Sequence, residues 1–153
     1  PKRDWSSDVC SSDLLIETLG LSPHPEGGWY RETWRAPAAN GARAAGTLIH
    51  FLLEAQQRSH WHRVDAAEMW LWHRGDPLVL KMAETGAGPV TEIVLGPDIA
   101  HGQVMQAVVP AHWWQAAKPL AGSDRYALVS CAVTPGFEFT GFTLAEPGWE
   151  PGT

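Results

Sequence analysis

Along most of the chain apolar residues come in short runs or alternate with polar ones. Gly and Pro break the runs at intervals of roughly ten residues, the spacing of short strands in a sandwich or barrel. Helical spacing is confined to residues 12–21, SDLLIETLGL. There Leu15, Ile16 and Leu19 share a face, Ser12 stands where a cap belongs and Gly20 where a helix ends. Residues 21–35, LSPHPEGGWYRETWR, pass from Pro and Gly-Gly punctuation into an alternating aromatic and charged strand, and residues 36–43, APAANGAR, form a loop with an Asn-Gly turn. Residues 47–53, TLIHFLL, are apolar on both faces, as in the middle of a sandwich. Strand-sized pieces follow at 68–73, 78–82, 91–95, 103–109, 113–117 and 126–134. The pattern predicts an all-β sandwich or barrel with one short N-terminal helix, in a single domain over residues 15–150 without internal repeats.

Composition changes this picture little. The 15 glycines and 12 prolines suit a chain of strands and turns, and nine tryptophans are many, as core filling or as walls of a ligand pocket. A net charge of −6 with no Lys/Arg cluster argues against nucleic acid and anionic membrane surfaces as partners. No apolar run approaches the roughly 20 residues needed to span a bilayer, and the N-terminal residues hold no apolar signal core, so a cytoplasmic location is expected. Cys10 and Cys131 make no disulfide framework. Residues 1–14, PKRDWSSDVCSSDL, are polar and discordant with the rest of the chain; they resemble a translated sequencing-adaptor read, and residues 1–11 are expected to lie unpacked.

Candidate chemistry gathers in residues 59–75, SHWHRVDAAEMWLWHRG, and 110–117, PAHWWQAA. His60 and His62 are two apart, so in a regular strand both imidazoles point to one side. Glu68 opens the next strand; if it faces inward, Trp70 and Trp72 do too, and Gln115 shares a face with Trp113. Two neutral imidazoles and a carboxylate suit Fe(II), Mn(II), Ni(II) or Zn(II). The same histidines also suit polar surface or hydrogen-bonded core positions, and spacing alone leaves both readings open. A second cluster, EGGWYRE at 26–32, pairs glycines that permit close backbone approach with Tyr30, Arg31 and Glu32. Tyr30 or Arg31 at a barrel mouth would hold an anionic or sugar-like ligand, whereas Arg31 and Glu32 on an edge strand would make intersubunit ion pairs.

The run from Ser59 to Gly75 resembles the first cupin motif, and GQVMQAVVPAHWWQ, residues 102–115, resembles the second. With PHPEGGWYRETWR, IHFLLE and VTPGFEFTGF in order, residues 15–144 resemble the DUF985 (Cupin_5) branch of the cupin superfamily. The resemblance implies a double-stranded β-helix, an antiparallel jelly-roll barrel, in a homodimer. It also implies a metal shell of His60, His62, Glu68 and the second-motif position, which is Gln115 here instead of histidine. Five residues separate His62 from Glu68, one or two more than the general pattern, and the motif's glycine is His112. An amide is a poorer donor than imidazole for softer divalent ions, so weak metal binding is expected, rising on Gln115→His.

The expected function is that of a small-molecule pocket protein. As an enzyme it would do isomerase- or epimerase-like or metal-assisted chemistry on a small polar metabolite such as a sugar derivative. In a metal-free version His62 is the base, Glu68 orients it and Tyr30 is the acid, while Arg31, Trp70, Trp72, Trp113 and Gln115 contact the ligand. The competing reading is a barrel that binds a ligand without chemistry.

Overall fold

The computed structural model describes residues 11–153. Helix α1 (Ser12–Leu19) is capped by the Ser11 hydroxyl, which accepts from the Leu14 N–H at 3.2 Å, one residue before the expected cap. It ends at Gly20, whose left-handed backbone (φ 67°) lets its N–H reach back to the Glu17 carbonyl. Ser12 donates to Glu54 at 2.9 Å, so the last residues of the discordant N-terminal stretch form the cap and first turn of a helix that docks on the barrel. The rest of the expectation for residues 1–11 lies outside the described residues.

Eleven strands follow: β1 (Ser22–Pro23), β2 (Trp29–Arg35), β3 (Thr47–Glu54), β4 (Ser59–Val64), β5 (Ala67–Gly75), β6 (Leu78–Ala83), β7 (Thr91–Leu95), β8 (Gln106–Val109), β9 (Trp114–Pro119), β10 (Tyr126–Thr134) and β11 (Phe142–Leu144). They form two antiparallel sheets, ordered β1-β2-β3-β10-β5-β8 and β11-β4-β9-β6-β7. Strands adjacent in space are often distant in sequence (β3 beside β10, β4 beside β9), which is jelly-roll topology. Between the sheets lies a core of Phe51, Leu53, Trp70, Leu78, Leu80, Met82, Leu95, Val109, Val129 and Cys131. A second cluster under α1 joins Leu15, Ile16 and Leu19 to Leu52 and Leu128. No helix among the described residues is long and apolar enough to cross a membrane.

Two local features position the site. In β4, Ser59 pairs with Ala117 and His62 with Gln115, so three steps on one strand oppose two on the other. This one-residue bulge breaks the alternation and puts Ser59 and His62 on the inner face. The other feature is the turn His24–Gly28, closed by the His24 N–H to the Gly28 carbonyl and the Gly27 N–H to the His24 carbonyl, and tied to β4 by the His60 N–H to the Glu26 carbonyl at 2.8 Å. Gly27 (φ 110°) has no room for a side chain, because a Cβ there would lie 2.1 Å from the Arg58 carbonyl oxygen. The close approach carries His24 and Glu26 inward.

Candidate functional site

One end of the barrel holds a cavity of about 250 Å³. Its lining includes His24, Glu26, Tyr30, His62 and Glu68, an apolar wall of Ile49, Val64 and Val133, and the rings of Phe137, Phe139 and Phe142, with Glu32, Arg35, Thr47 and Glu138 completing it.

The polar floor is a chain of buried hydrogen bonds. Trp70 Nε1–H donates to Gln115 Oε1 at 2.8 Å, and Gln115 Nε2–H donates to Glu68 Oε1 at 2.9 Å. Indole N–H can only donate, so it fixes the amide: the oxygen faces Trp70 and the NH₂ faces the carboxyl. His62 Nδ1 lies 2.8 Å from the His60 carbonyl and 3.0 Å from Glu26 Oε2. Both neighbours are acceptors, so Nδ1 carries a proton in either charge state, and the ring's remaining chemistry is at Nε2. The Ser59 hydroxyl also donates to Glu26, in a very short contact. His24 Nδ1 is 3.4 Å from Glu26 Oε1 but also accepts the Glu26 backbone N–H at 3.1 Å. An accepting nitrogen has no proton to share, so His24 is neutral here, in line with burial pushing its pKa down.

The electrostatics follow from one imidazole and two carboxyls enclosed together. Burial opposes charging His62, but Glu26, by charge and hydrogen bond, then Glu68 and the His60 carbonyl, raise its pKa to about 9. Burial opposes ionising Glu26 as well, yet the His62 charge and hydrogen bond, with a hydrogen bond from Ser59, hold its carboxyl below the usual value. Glu68 is left without a counter-charge of its own. Burial raises its pKa, the His62 charge opposes, the Glu26 charge adds to the rise, and hydrogen bonds from Gln115 and Cys131 offset part of it; the result is about 7. Beside it the Cys131 thiol is pushed well above its ordinary pKa, chiefly by burial, and stays protonated.

The structure thus brings His62, Glu68 and Gln115 together and puts Tyr30 on the same cavity. It does not bring His60 there. The bulge turns that ring outward, where Nε2 contacts the Glu146 carbonyl at 3.1 Å and Nδ1 lies 3.3 Å from Arg58, so His60 fastens the C-terminal segment instead. Arg31 lies on the outer face and donates to the Leu19 carbonyl at 3.3 Å, since a residue next to inward Tyr30 on a strand points the other way. Trp70, Trp72 and Trp113 pack in or against the core between the sheets and do not line the cavity. Glu26 is the residue that strand alternation could not reveal; the signal was an acid preceding two glycines in an otherwise apolar and aromatic stretch. His112, at the position where the motif has glycine, adopts a left-handed backbone (φ 70°).

The metal shell implied by the motifs does not fit these residues. His60 faces away, the Gln115 oxygen is taken by Trp70, and the amide presents hydrogens to the site. Among the described residues, no three His, Cys, Asp or Glu side chains are grouped to hold a metal ion.

Comparison with known proteins agrees with the fold. The family model Cupin_5, described as cupin superfamily (DUF985), matches residues 13–145. A hypothetical protein from Leishmania major superposes with a TM-score of 0.82 at 30% identity, over 91% of this chain and 89% of that one. A protein from Shewanella oneidensis also gives 0.82, at 36% identity over 89% and 85% of the two chains. The uncharacterized protein YML079W of Saccharomyces cerevisiae is 29% identical over 152 residues, 88% of this chain and 75% of its own.

Proposed function

For this chain, which belongs to the Cupin_5 (DUF985) family of the cupin superfamily, we propose metal-free acid–base chemistry on a small polar metabolite, of the isomerase or epimerase kind. One observation carries the reading: the buried His62 ring pairs with Glu26 at 3.0 Å beside a second buried carboxyl, Glu68, which accepts from Gln115 at 2.9 Å but has no counter-charge of its own, so burial raises its pKa to about 7. A group with that pKa is suited both to take and to return a proton at neutral pH. Glu68 therefore replaces His62 as the base. Glu26 holds His62 charged, so the imidazole has no free lone pair to accept with, and its Nε2–H donates instead.

The step is proton abstraction beside a carbonyl. Glu68 takes the proton from carbon, the electron pair moves onto the carbonyl oxygen, and the His62 Nε2–H stabilises the developing oxyanion. Returning the proton to the other face, or to the neighbouring carbon, completes an epimerisation or isomerisation, with Tyr30 on the cavity lining as the second donor.

Incubating the protein in D₂O with a panel of small α-hydroxy and α-amino carbonyl compounds, followed by proton NMR, tests the reading. At least one compound should lose its α-proton signal, and Glu68→Gln should abolish the exchange. Binding without exchange by any compound would leave the same cavity as a non-catalytic ligand site.

A further inference from the structure

The cavity lining carries four carboxyl groups, Glu26, Glu32, Glu68 and Glu138, against two basic groups that hold charge, Arg35 and His62. Both cations are already engaged. His62 Nδ1 is shared between Glu26 and the His60 carbonyl. The Arg35 guanidinium forks onto Glu32 (Nη2 to Oε1 at 2.7 Å, Nε to Oε2 at 3.3 Å), and Nη2 also donates to the Phe137 carbonyl at 2.9 Å. The nearby Arg43, which senses the Glu138 charge, spends its own fork on Asp65 at 2.7 and 3.0 Å. Arg31, the expected anion-binding residue, lies on the outer face.

A ligand entering the cavity therefore meets no lining cation without a carboxylate partner, His62 offering only its Nε2–H while Glu26 balances its charge. It meets Glu138 at the exposed edge, with one long bond of 3.5 Å from Thr140, and Glu68 at the buried floor. The same lining carries three phenyl rings, with centroids 4.9–6.0 Å apart. Carboxylates and aromatic rings in one small enclosure favour positive charge, through Coulomb attraction and the negative ring faces. A carboxylate or phosphate would have to break an existing ion pair or sit against two acids.

We propose that the cavity selects a small organic cation, a primary amine or quaternary ammonium compound with an apolar body, over carboxylates and phosphate esters. This deepens the acid–base reading and rests on the same cavity, with Glu68 as the buried anion that the cation approaches.

Three probes of one shape and different charge test it: benzylamine (cationic), benzyl alcohol (neutral) and benzoate (anionic), titrated into the full chain at pH 8 by calorimetry and ligand-observed NMR. Benzylamine should bind about tenfold more tightly than benzyl alcohol, and benzoate should not compete. Glu68→Gln should remove most of that preference, in a variant whose folding is checked independently by circular dichroism and its urea transition. Glu138→Gln, at the exposed edge, should lower the preference about twofold. Benzoate binding as tightly as benzylamine, a preference that survives both substitutions, or no binding of any probe at about 10 mM would overturn the proposal. The outcomes separate from those of the D₂O experiment. Cation preference without α-proton exchange retains this proposal and removes catalysis, whereas exchange of anionic compounds alone retains catalysis and removes this proposal.

Discussion

Replacing Glu68 by Gln should make the protein more stable at alkaline pH, with a pH dependence that identifies the group. The folded-state pKa of Glu68 is raised from 4.5 to about 7. Folding therefore favours its protonated form, and the contribution is fully present below the unfolded value. It is lost as pH rises from 4.5 through about 7. A shift of that size corresponds to about 3 kcal/mol at 1.36 kcal/mol for each pKa unit. Glutamine mimics the neutral carboxyl, and its carbonyl can still accept from Gln115, so the variant escapes the loss. Urea unfolding from pH 4 to 8.5 should show the two proteins converging near pH 4 and separating through neutrality. At about 2 kcal/mol per M of urea the midpoint of the variant should exceed the parent's by roughly 1.5 M at pH 8. His62 behaves differently: its raised pKa contributes stability that is full below 6.5 and lost through about 9, so it bends both curves at the alkaline end. A difference between the two proteins that is flat with pH, or that favours the parent at pH 8, would refute the account of the floor.

Three further outcomes are expected from the geometry. Gln115→His should not tighten Zn(II) or Ni(II) binding in a titration, because the other ligands are not arranged around a metal and Trp70 Nε1–H loses its acceptor; a gain of tenfold or more would reinstate the metal shell. His60→Ala should speed proteolysis or hydrogen exchange of residues 145–153, whose hold on His60 is its bond to the Glu146 carbonyl, for about 1 kcal/mol of local stability, while the pH-dependence assigned to Glu68 stays unchanged. Gly27→Ala should cost about 2–4 kcal/mol in thermal or urea unfolding, since the added Cβ would lie 2.1 Å from the Arg58 carbonyl oxygen on a backbone at φ 110°; a near-neutral result would mean that the turn is free to move off β4.

The elements were legible wherever a local rule decided them. Residues 47–53 and 126–134 read as strands from runs of branched and aromatic residues, and α1 from the spacing of Leu15, Ile16 and Leu19. Its cap shifted by one residue because Ser11 and Ser12 are equally able to cap, and contact with Glu54 draws Ser12 onto the barrel. His62, Glu68 and Gln115 could be gathered from motif positions together with period two. His60 could not, because a bulge exists only in the pairing of β4 with β9 and leaves no mark on β4 alone. Glu26 lay hidden for a related reason: its partners, His62 and Ser59, are reached only when the turn docks on β4. The tryptophans misled through chemistry, since a ring that could wall a pocket can equally fill a core.

The bulge in β4 has a consequence for how such a site can be remodelled. Ser59, His60, Trp61 and His62 share one strand, and the position of the extra residue decides which of them look inward. Moving it two places toward the N-terminus would turn His60 in beside His62 and release Ser59 from Glu26. The bond from His60 to Glu146 and the ion pair at Glu26 thus correspond to one reading frame of the strand, and a pair of inward histidines to another. The same four letters spell both, so a lineage could pass between the two pockets by sliding a bulge, with every side chain of the strand kept.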